Sequence, residues 1–314
     1  MSVLSCATAP KNAGVLDSDG MALVEEGWFY MGSDDGEFNE APEHEVFVRA
    51  FRIDGYEVTA AEFAVFLNAK GNADDQYFSC DAHSTIVCFT KEGEQAVGSS
   101  GKNIVRFEPR PGYGRYPANN VSWHGAEGFC RWKGKRLPTE AEWEKAARGD
   151  DRRIYPWGDR RPDDLTSRYD KEWEKNGLDV LFPVDSLPDG RSIYGVYNMA
   201  GNALEWIHDW YRQNYCDFCD PGGTDYAAAA SEILSLHGAA VNSGQNKTDL
   251  PPRHDTEGPE VGSFRVLRGG SWYDKSGDKL RSSYRFWLDP LERYDYIGFR
   301  CADAEKSSAQ SASH

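Results

Sequence analysis

Beyond Gly149 the sequence sustains no helical hydrophobic period. Turn residues punctuate it, and strand-like runs such as Phe264-Arg265-Val266-Leu267-Arg268 stay short. Helix signals are confined to the first half. Val58-Thr59-Ala60-Ala61-Glu62 opens a helix with a Thr59–Glu62 capping box, and Phe63, Phe66 and Leu67 come next at helical spacing as its core stripe. A second helix is expected from Ser122 through Ala126, Phe129 and Cys130 to a stop at Gly134. The third is capped by Thr139, answered by Glu142, with Trp143, Ala146 and Ala147 turned inward. Three helices succeeded by a Trp- and Gly-rich irregular half predict an α+β domain with little regular secondary structure.

The charge narrows the partners. Fifty-one acidic against 35 basic side chains leave a formal net charge of −16, which repels phosphate backbones and anionic bilayers. No basic patch offsets it: Arg152–Arg153, Arg160–Arg161 and Lys133, Lys135 and Arg136 are short clusters among acids, the pattern of a solvated face. Nucleic acid is therefore not expected as a partner, and basic ligands or divalent cations suit the excess better. At 39% hydrophobic and 27% charged the chain can bury a core, and with 13% aromatic residues that core is rich in rings. No stretch of 18 apolar residues is present, so no membrane span is expected. Length alone allows one large domain or two small ones, but neither a low-complexity linker nor an internal repeat divides the chain. We therefore expect a flexible leader over 1–20, a single domain over 21–302 and a flexible tail over 303–314, with 70–118 and 212–262 as long surface excursions.

Seven cysteines stand at 6, 80, 88, 130, 216, 219 and 301. Cys80 and Cys88 end a nine-residue stretch that can fold back as a hairpin closed by a disulfide. Cys216-Asp-Phe-Cys219 is a lone pair for which a disulfide, free thiols and metal or redox chemistry all stay open, although zinc would need a second pair or spaced histidines that the sequence lacks. Val3-Leu4-Ser5-Cys6 fits the small-residue box before a lipid-modified cysteine, making Cys6 a candidate lipid anchor. The apolar segment that normally precedes such a box is missing, and an incidental cysteine in a disordered leader is the plain alternative.

Eight segments follow one another in a distinctive order. They are Met31-Gly32-Ser33, Tyr56-Glu57-Val58-Thr59, Pro117-Ala118-Asn119-Asn120-Val121-Ser122-Trp123, Gly134-Lys135-Arg136-Leu137-Pro138-Thr139-Glu140-Ala141-Glu142-Trp143-Glu144, Tyr155-Pro156-Trp157-Gly158, Asn198-Met199-Ala200-Gly201-Asn202-Ala203-Leu204-Glu205-Trp206, Arg268-Gly269-Gly270-Ser271-Trp272 and Gly298-Phe299-Arg300-Cys301. Over roughly residues 22–302 this series resembles the formylglycine-generating enzyme, or sulfatase-modifying factor, family. The resemblance implies that family's variant of the C-type-lectin-like fold, rich in loops and holding calcium.

The family's oxidases convert a sulfatase-peptide cysteine to formylglycine with two copper-binding cysteines placed shortly after Gly-Gly-Ser. Here those positions are Asp274 and Lys279. Copper(I) needs soft thiolates, so copper is not expected and formylglycine generation by that mechanism is disfavoured. The iron enzymes on this fold use clustered histidines from an added helical domain, and none of the seven histidines here is paired at i, i+3 or i, i+4. The family's calcium loop would fall on Asn198, Gly201, Ala203 and Glu205, with two side-chain oxygens and two main-chain carbonyls as hard ligands. The alternative reading makes Asn198 and Glu205 caps of the turn and of a helix after it. A second family calcium site would fall near Leu165, Thr166, Asn176 and Asp179, where the loop lacks the ligand pattern. The family's inter-element bridge implies Cys130 to Cys301. With Cys80–Cys88 and Cys216–Cys219 it would leave Cys6 over and place the protein in an exported, oxidising compartment, periplasmic or cell-surface.

The resemblance also places the ligand groove beside Gly-Gly-Ser, lined by Ser271, Trp272, Tyr273, Asp274, Arg281, Tyr284, Arg285, Phe286 and Trp287. The alternation in Tyr284-Arg285-Phe286-Trp287-Leu288 fits a binding surface and a structural strand equally well. Three functions are compatible with these residues. A non-catalytic calcium-stabilised module would bind a protein or small molecule. An enzyme with non-copper chemistry, like family members acting in siderophore chromophore maturation, would use an acid or base such as Asp274, Glu292 or Tyr294. The third is a purely structural subunit.

Overall fold

The computed structural model describes residues 14–98, 104–213, 253–254 and 258–304. In chain order its strands are β1 (Met21–Val24), β2 (Gly27–Met31), β3 (His44–Val48), β4 (Phe51–Asp54), β5 (Ile86–Thr90), β6 (Gln95–Ala96), β7 (Ile104–Pro109), β8 (Leu204–Trp210), β9 (Arg253–His254), β10 (Arg265–Arg268), β11 (Arg285–Leu288), β12 (Ile297–Gly298) and β13 (Ala302–Ala304). Its α-helices are α1 (Ala60–Lys70), α2 (Trp123–Trp132), α3 (Glu140–Arg148) and the single turn α4 (Trp173–Asn176). The three helices expected from the sequence form with the expected caps. Thr59 and Thr139 each accept from the backbone N–H of the residue three ahead, while Glu62 and Glu142 reach back to the cap. Ser122 caps α2 by accepting from Gly125, and Gly134 succeeds that helix at φ +73°.

The strands form four small sheets, ordered β1-β4-β13, β11-β10-β8-β12, β2-β3-β9 and β6-β5-β7. In the first, β13 runs antiparallel to β4 with Ala302 opposite Ile53, so the late chain closes against the early chain. The second divides the interior. Leu204, Trp206 and Leu267 face a cluster with Phe63, Phe66, Phe129 and Phe299, whereas Ile207 and Val266 face one with Phe29, Phe51 and Trp143. Alternation along β8 and β10 sends successive side chains to opposite faces, which lets one sheet serve two cores.

Cys130 and Cys301 are bonded, tying α2 to the chain just before β13. Cys80 and Cys88 are bonded as well, but the hairpin lies elsewhere: β5 carries Cys88 and pairs with β6 beyond it, Cys88 opposite Ala96. The stretch 70–118 is not a surface excursion. It contributes the β6-β5-β7 sheet and buries Phe78, Ile86 and Phe107 in the first core cluster. Cys6, Cys216, Cys219 and most of 212–262 lie outside the described residues. Among the described residues no helix is long and apolar enough to cross a membrane.

Candidate ligand-binding site

The Gly-Gly-Ser segment leaves β10 through two residues in the left-handed region, Gly269 at φ +98° and Gly270 at φ +65°. Glycine adopts this conformation without the Cβ clash that penalises other residues. At Gly270 a Cβ would also lie 2.7 Å from the Lys279 carbonyl oxygen, so the close approach of the 277–280 turn depends on that glycine. The segment is then pinned from both sides. Gly201 N–H donates to the Gly269 carbonyl, Trp272 N–H to Asn202, and Lys171 N–H to Trp272. Trp272 is buried against Val180, Leu181 and Ala203.

This fixes the two positions where the oxidases have thiols. One carboxylate oxygen of Asp274 accepts from the Ser271 backbone N–H at 2.8 Å and from its hydroxyl at 3.0 Å. Burial holds the Asp274 carboxyl above the usual range in spite of those bonds. Lys279 donates to the Tyr284 hydroxyl at 2.8 Å, and its ammonium lies 4.5 Å from that ring's centroid. The pair is an acid and an ammonium, each held by its own neighbour.

The remaining expected groove residues divide. Arg281 and Arg285 are not gathered with Ser271 and Asp274 as ligand-facing groups. Arg281 forms a two-point ion pair with buried Glu40, and Arg285 one with buried Glu140. Phe286 packs on the first core cluster, and Trp287 stacks on Tyr211 with centroids 4.3 Å apart. The alternation of 284–288 is therefore that of a structural strand, β11, along the edge of β10. Glu292 is exposed, and its carboxylate takes a hydrogen bond from Tyr294 that pushes the phenol pKa up.

An aromatic surface adjoins the Ser271–Asp274 turn. Tyr273 stacks on Tyr296 at 5.3 Å and 14°, and Tyr296 stacks on Tyr294 at 5.2 Å and 7°. The outer rings stay accessible, with Tyr273 57% and Tyr294 37% exposed. Beside the stack, the Asp295 carboxylate meets His83 Nδ1 at 3.0 Å, and the His83 ring lies on Trp173 at 3.7 Å. The Asp295 carbonyl accepts from Asn119 and Trp272. Sequence reasoning missed Tyr296, Asp295, His83 and Trp173, which come from three separated segments. The only local signal was the Tyr294-Asp295-Tyr296 spacing, and the segment closes as a turn in which Ile297 N–H donates to the Tyr294 carbonyl.

The four residues matched to the calcium loop are brought together in a buried turn, with Asn198 and Gly201 at positive φ. The turn leads into strand β8 rather than a helix, so Glu205 caps no helix there. Their side chains are engaged within the protein. Asn198 donates to Glu57 at 2.7 Å and to the Val184 carbonyl at 3.0 Å. Glu205 accepts from Arg300 at 2.8 and 2.6 Å and from the Trp143 indole at 2.8 Å. Glu57, a second buried carboxylate, accepts from Asn198, Asn202 and the Ala203 N–H. Burial and the charge of Glu205 push it up to about 8. Near the other expected calcium position, Arg168 donates to the Asp179 and Val180 carbonyls, and Asp179 accepts from the Tyr113 hydroxyl. Among the described residues no group of three His, Cys, Asp or Glu side chains is placed to hold a metal.

Comparison with known proteins agrees with the motif series. A model described as the sulfatase-modifying factor enzyme 1-like domain matches residues 6–305. A formylglycine-generating enzyme of Streptomyces coelicolor is 33% identical, covering 93% of this chain and 92% of its own. An inactive C-alpha-formylglycine-generating enzyme 2 of Mus musculus is 29% identical, covering 90% of this chain and 85% of that one. A serine/threonine-protein kinase pkn1 of Chlamydia caviae is 32% identical over 91% of this chain, which spans only 38% of that protein. Among solved structures, PvdO from Pseudomonas aeruginosa has a TM-score of 0.62 at 24% identity, covering 94% of this chain and 100% of that one. Treponema denticola variable protein 1 has a TM-score of 0.57 at 21% identity, covering 90% and 94%. These likenesses establish a C-type-lectin-like α+β fold. With that fold, its ordered motifs and the match across nearly all of its length, the chain belongs to the sulfatase-modifying factor enzyme 1-like family, which includes the formylglycine-generating enzymes.

Proposed function

We propose that this protein is an exported ligand- or protein-binding module on the formylglycine-generating-enzyme fold and does not generate formylglycine. The observation that carries the reading is the replacement of both thiols by side chains that are already engaged: Asp274 by Ser271, and Lys279 by Tyr284. An ammonium and a carboxylate offer copper(I) no soft ligand. The exposed Tyr273–Tyr296–Tyr294 stack beside them supplies contact area without an activated nucleophile. The expected outcome is no stoichiometric copper(I) binding and no aldehyde formation on a cysteine-containing sulfatase peptide, measured by mass spectrometry. Aldehyde formation that survives Asp274→Asn would sink the binding reading and expose a different oxidase. Aldehyde formation lost in that variant would favour the enzyme alternative, with Asp274 as its acid or base.

Calcium at the Asn198, Gly201, Ala203 and Glu205 loop is part of this proposal. Buried Glu205 is paired with Arg300, and burial with the charge of Glu205 pushes the neighbouring Glu57 up to about 8; a divalent cation would let both carboxylates ionise together. The loop offers an amide oxygen, a partly used carboxylate and two carbonyls. That is short of the six to eight oxygens calcium takes, so bound water would complete the shell. Export is supported by the disulfides Cys80–Cys88 and Cys130–Cys301, which persist in oxidising compartments. A lipid anchor at Cys6 would hold the module at the cell surface.

A further inference from the structure

The binding surface has a chemical bias. It is built from two short ring–carboxylate segments, Trp272-Tyr273-Asp274 and Tyr294-Asp295-Tyr296, packed on each other through the Tyr273–Tyr296 stack and the 3.4 Å bond from the Trp272 indole to the Asp295 carbonyl. Ring faces carry negative quadrupole density, and a carboxylate beside a ring adds a full charge of the same sign. Burial, with the charges of Asp295 and Asp274 among the further causes, raises the pKa of the Tyr296 phenol, so both carboxylates act on the central ring. Glu292 adds a third acid at the outer end, bonded to Tyr294.

The basic groups nearby are turned to other tasks. Arg293 donates to the Asp75 carbonyl, and Lys279 is held over Tyr284. Lys275 and Lys171 are paired with Asp170 and Asp164. The His83 ring is stacked on Trp173 and meets Asp295 through one nitrogen. The site thus combines accessible rings and acids within a molecule of net charge −16.

We infer that the Tyr273–Tyr296–Tyr294 surface, flanked by Asp274 and Asp295, recognises a small organic cation bearing a substituted ammonium group. This rests on the binding reading above and narrows it to a ligand class. Neutral rings and sugars also stack on tyrosine, and sugar hydroxyls can donate to a carboxylate, but a cation alone gains from the negative charge of the acids and of the ring faces together.

The test titrates the full-length protein with choline and, separately, with 3,3-dimethylbutan-1-ol, its uncharged isostere, by calorimetry and aromatic-ring NMR. Choline is expected to bind saturably and to shift Tyr273 and Tyr296 resonances, with no saturable response to the alcohol. Tyr273→Leu, which removes the accessible end of the stack, should weaken choline about two- to five-fold, the range of an exposed cation–π contact. Tyr296→Phe should retain binding. Asp274→Asn and Asp295→Asn should each weaken it several-fold. Because Tyr296 is half-buried, Tyr273→Leu at the exposed end serves as the variant least able to disturb folding. Equal binding of the alcohol, weakened by Tyr273→Leu, would overturn the cation assignment and leave the binding surface standing. No saturable response to choline would also overturn it. Choline binding indifferent to all the ring substitutions would remove the surface itself.

Discussion

Asp209 shows how strongly the interior sets the chemistry of one residue. Its carboxylate is buried and accepts from the backbone N–H groups of Glu140 and Gly258, which favours the ionised form. Burial and the neighbouring Glu140 carboxylate outweigh those bonds and push it up to about 7. An acid whose folded pKa is raised stabilises the fold below its unfolded value, and that contribution is lost as pH rises through the folded one. Between pH of about 4 and about 7, Asp209 should therefore lower stability with a slope of at most about 1.4 kcal/mol per pH unit. Asp209→Asn should flatten denaturant-derived stability across this window, and an unchanged slope would refute the assignment. Arg265 nearby is the opposite case. Its guanidinium lies between Trp123 and Trp210 at 3.7 and 3.5 Å, and burial lowers its pKa to about 10. Neither residue stood out in the sequence, because a pKa depends on neighbours that only folding supplies.

At the scale of elements, the capped helices were the most legible part of the chain. Thr59–Glu62 and Thr139–Glu142 satisfy orphan N–H groups within four residues, so the signal is complete in the local sequence. The β6-β5-β7 sheet was not legible, since its short strands gain their burial from Phe63 and Phe66 on α1 and Phe129 on α2. Nor could the sequence separate the two readings of 284–288. Only the pairing of β11 with β10, the stacking of Trp287 on Tyr211 and the Arg285–Glu140 pair made it a structural strand. The Cys130–Cys301 bridge joins α2 to the chain before β13 across a sequence separation of 171. Closing so long a loop restricts the unfolded chain by up to about 5 kcal/mol in the entropy model, and removal of native bridges typically costs about 2–5 kcal/mol. Cys130→Ala with Cys301→Ala should lose stability in that range by denaturant unfolding, and an unchanged midpoint would show that the two cores hold the ends together without it.

For the whole molecule, elements remote in the chain are pinned to one another by buried charges. Glu40, Glu140, Glu144 and Glu205 are paired with Arg281, Arg285, Arg268 and Arg300, and each of these glutamates is at most 5% exposed. A buried pair adds little over an apolar substitute, but losing one partner strands the other charge, so these pairs enforce one arrangement of the elements that carry them. Calcium at the Asn198–Glu205 loop would act at the same scale, because that loop contacts the segments of Glu57, Val184 and Gly269. Calcium is expected to raise the unfolding temperature saturably, EDTA to reverse it, and Glu57→Gln to weaken the effect. A midpoint indifferent to calcium and EDTA would remove the site.

The sequence by itself determined the family, the three capped helices, the Cys130–Cys301 pairing through the family resemblance and the loss of the thiol pair. Each is written in local spacing or ordered motifs. Tertiary structure decided which polar residues are spoken for and which rings are open. Arg281 and Arg285 vanish into ion pairs with carboxylates more than 140 residues away, while Tyr296, Asp295, His83 and Trp173 gather beside Asp274. The physical reason is that burial and pairing are properties of neighbours, and in a loop-rich fold most neighbours are remote in the chain.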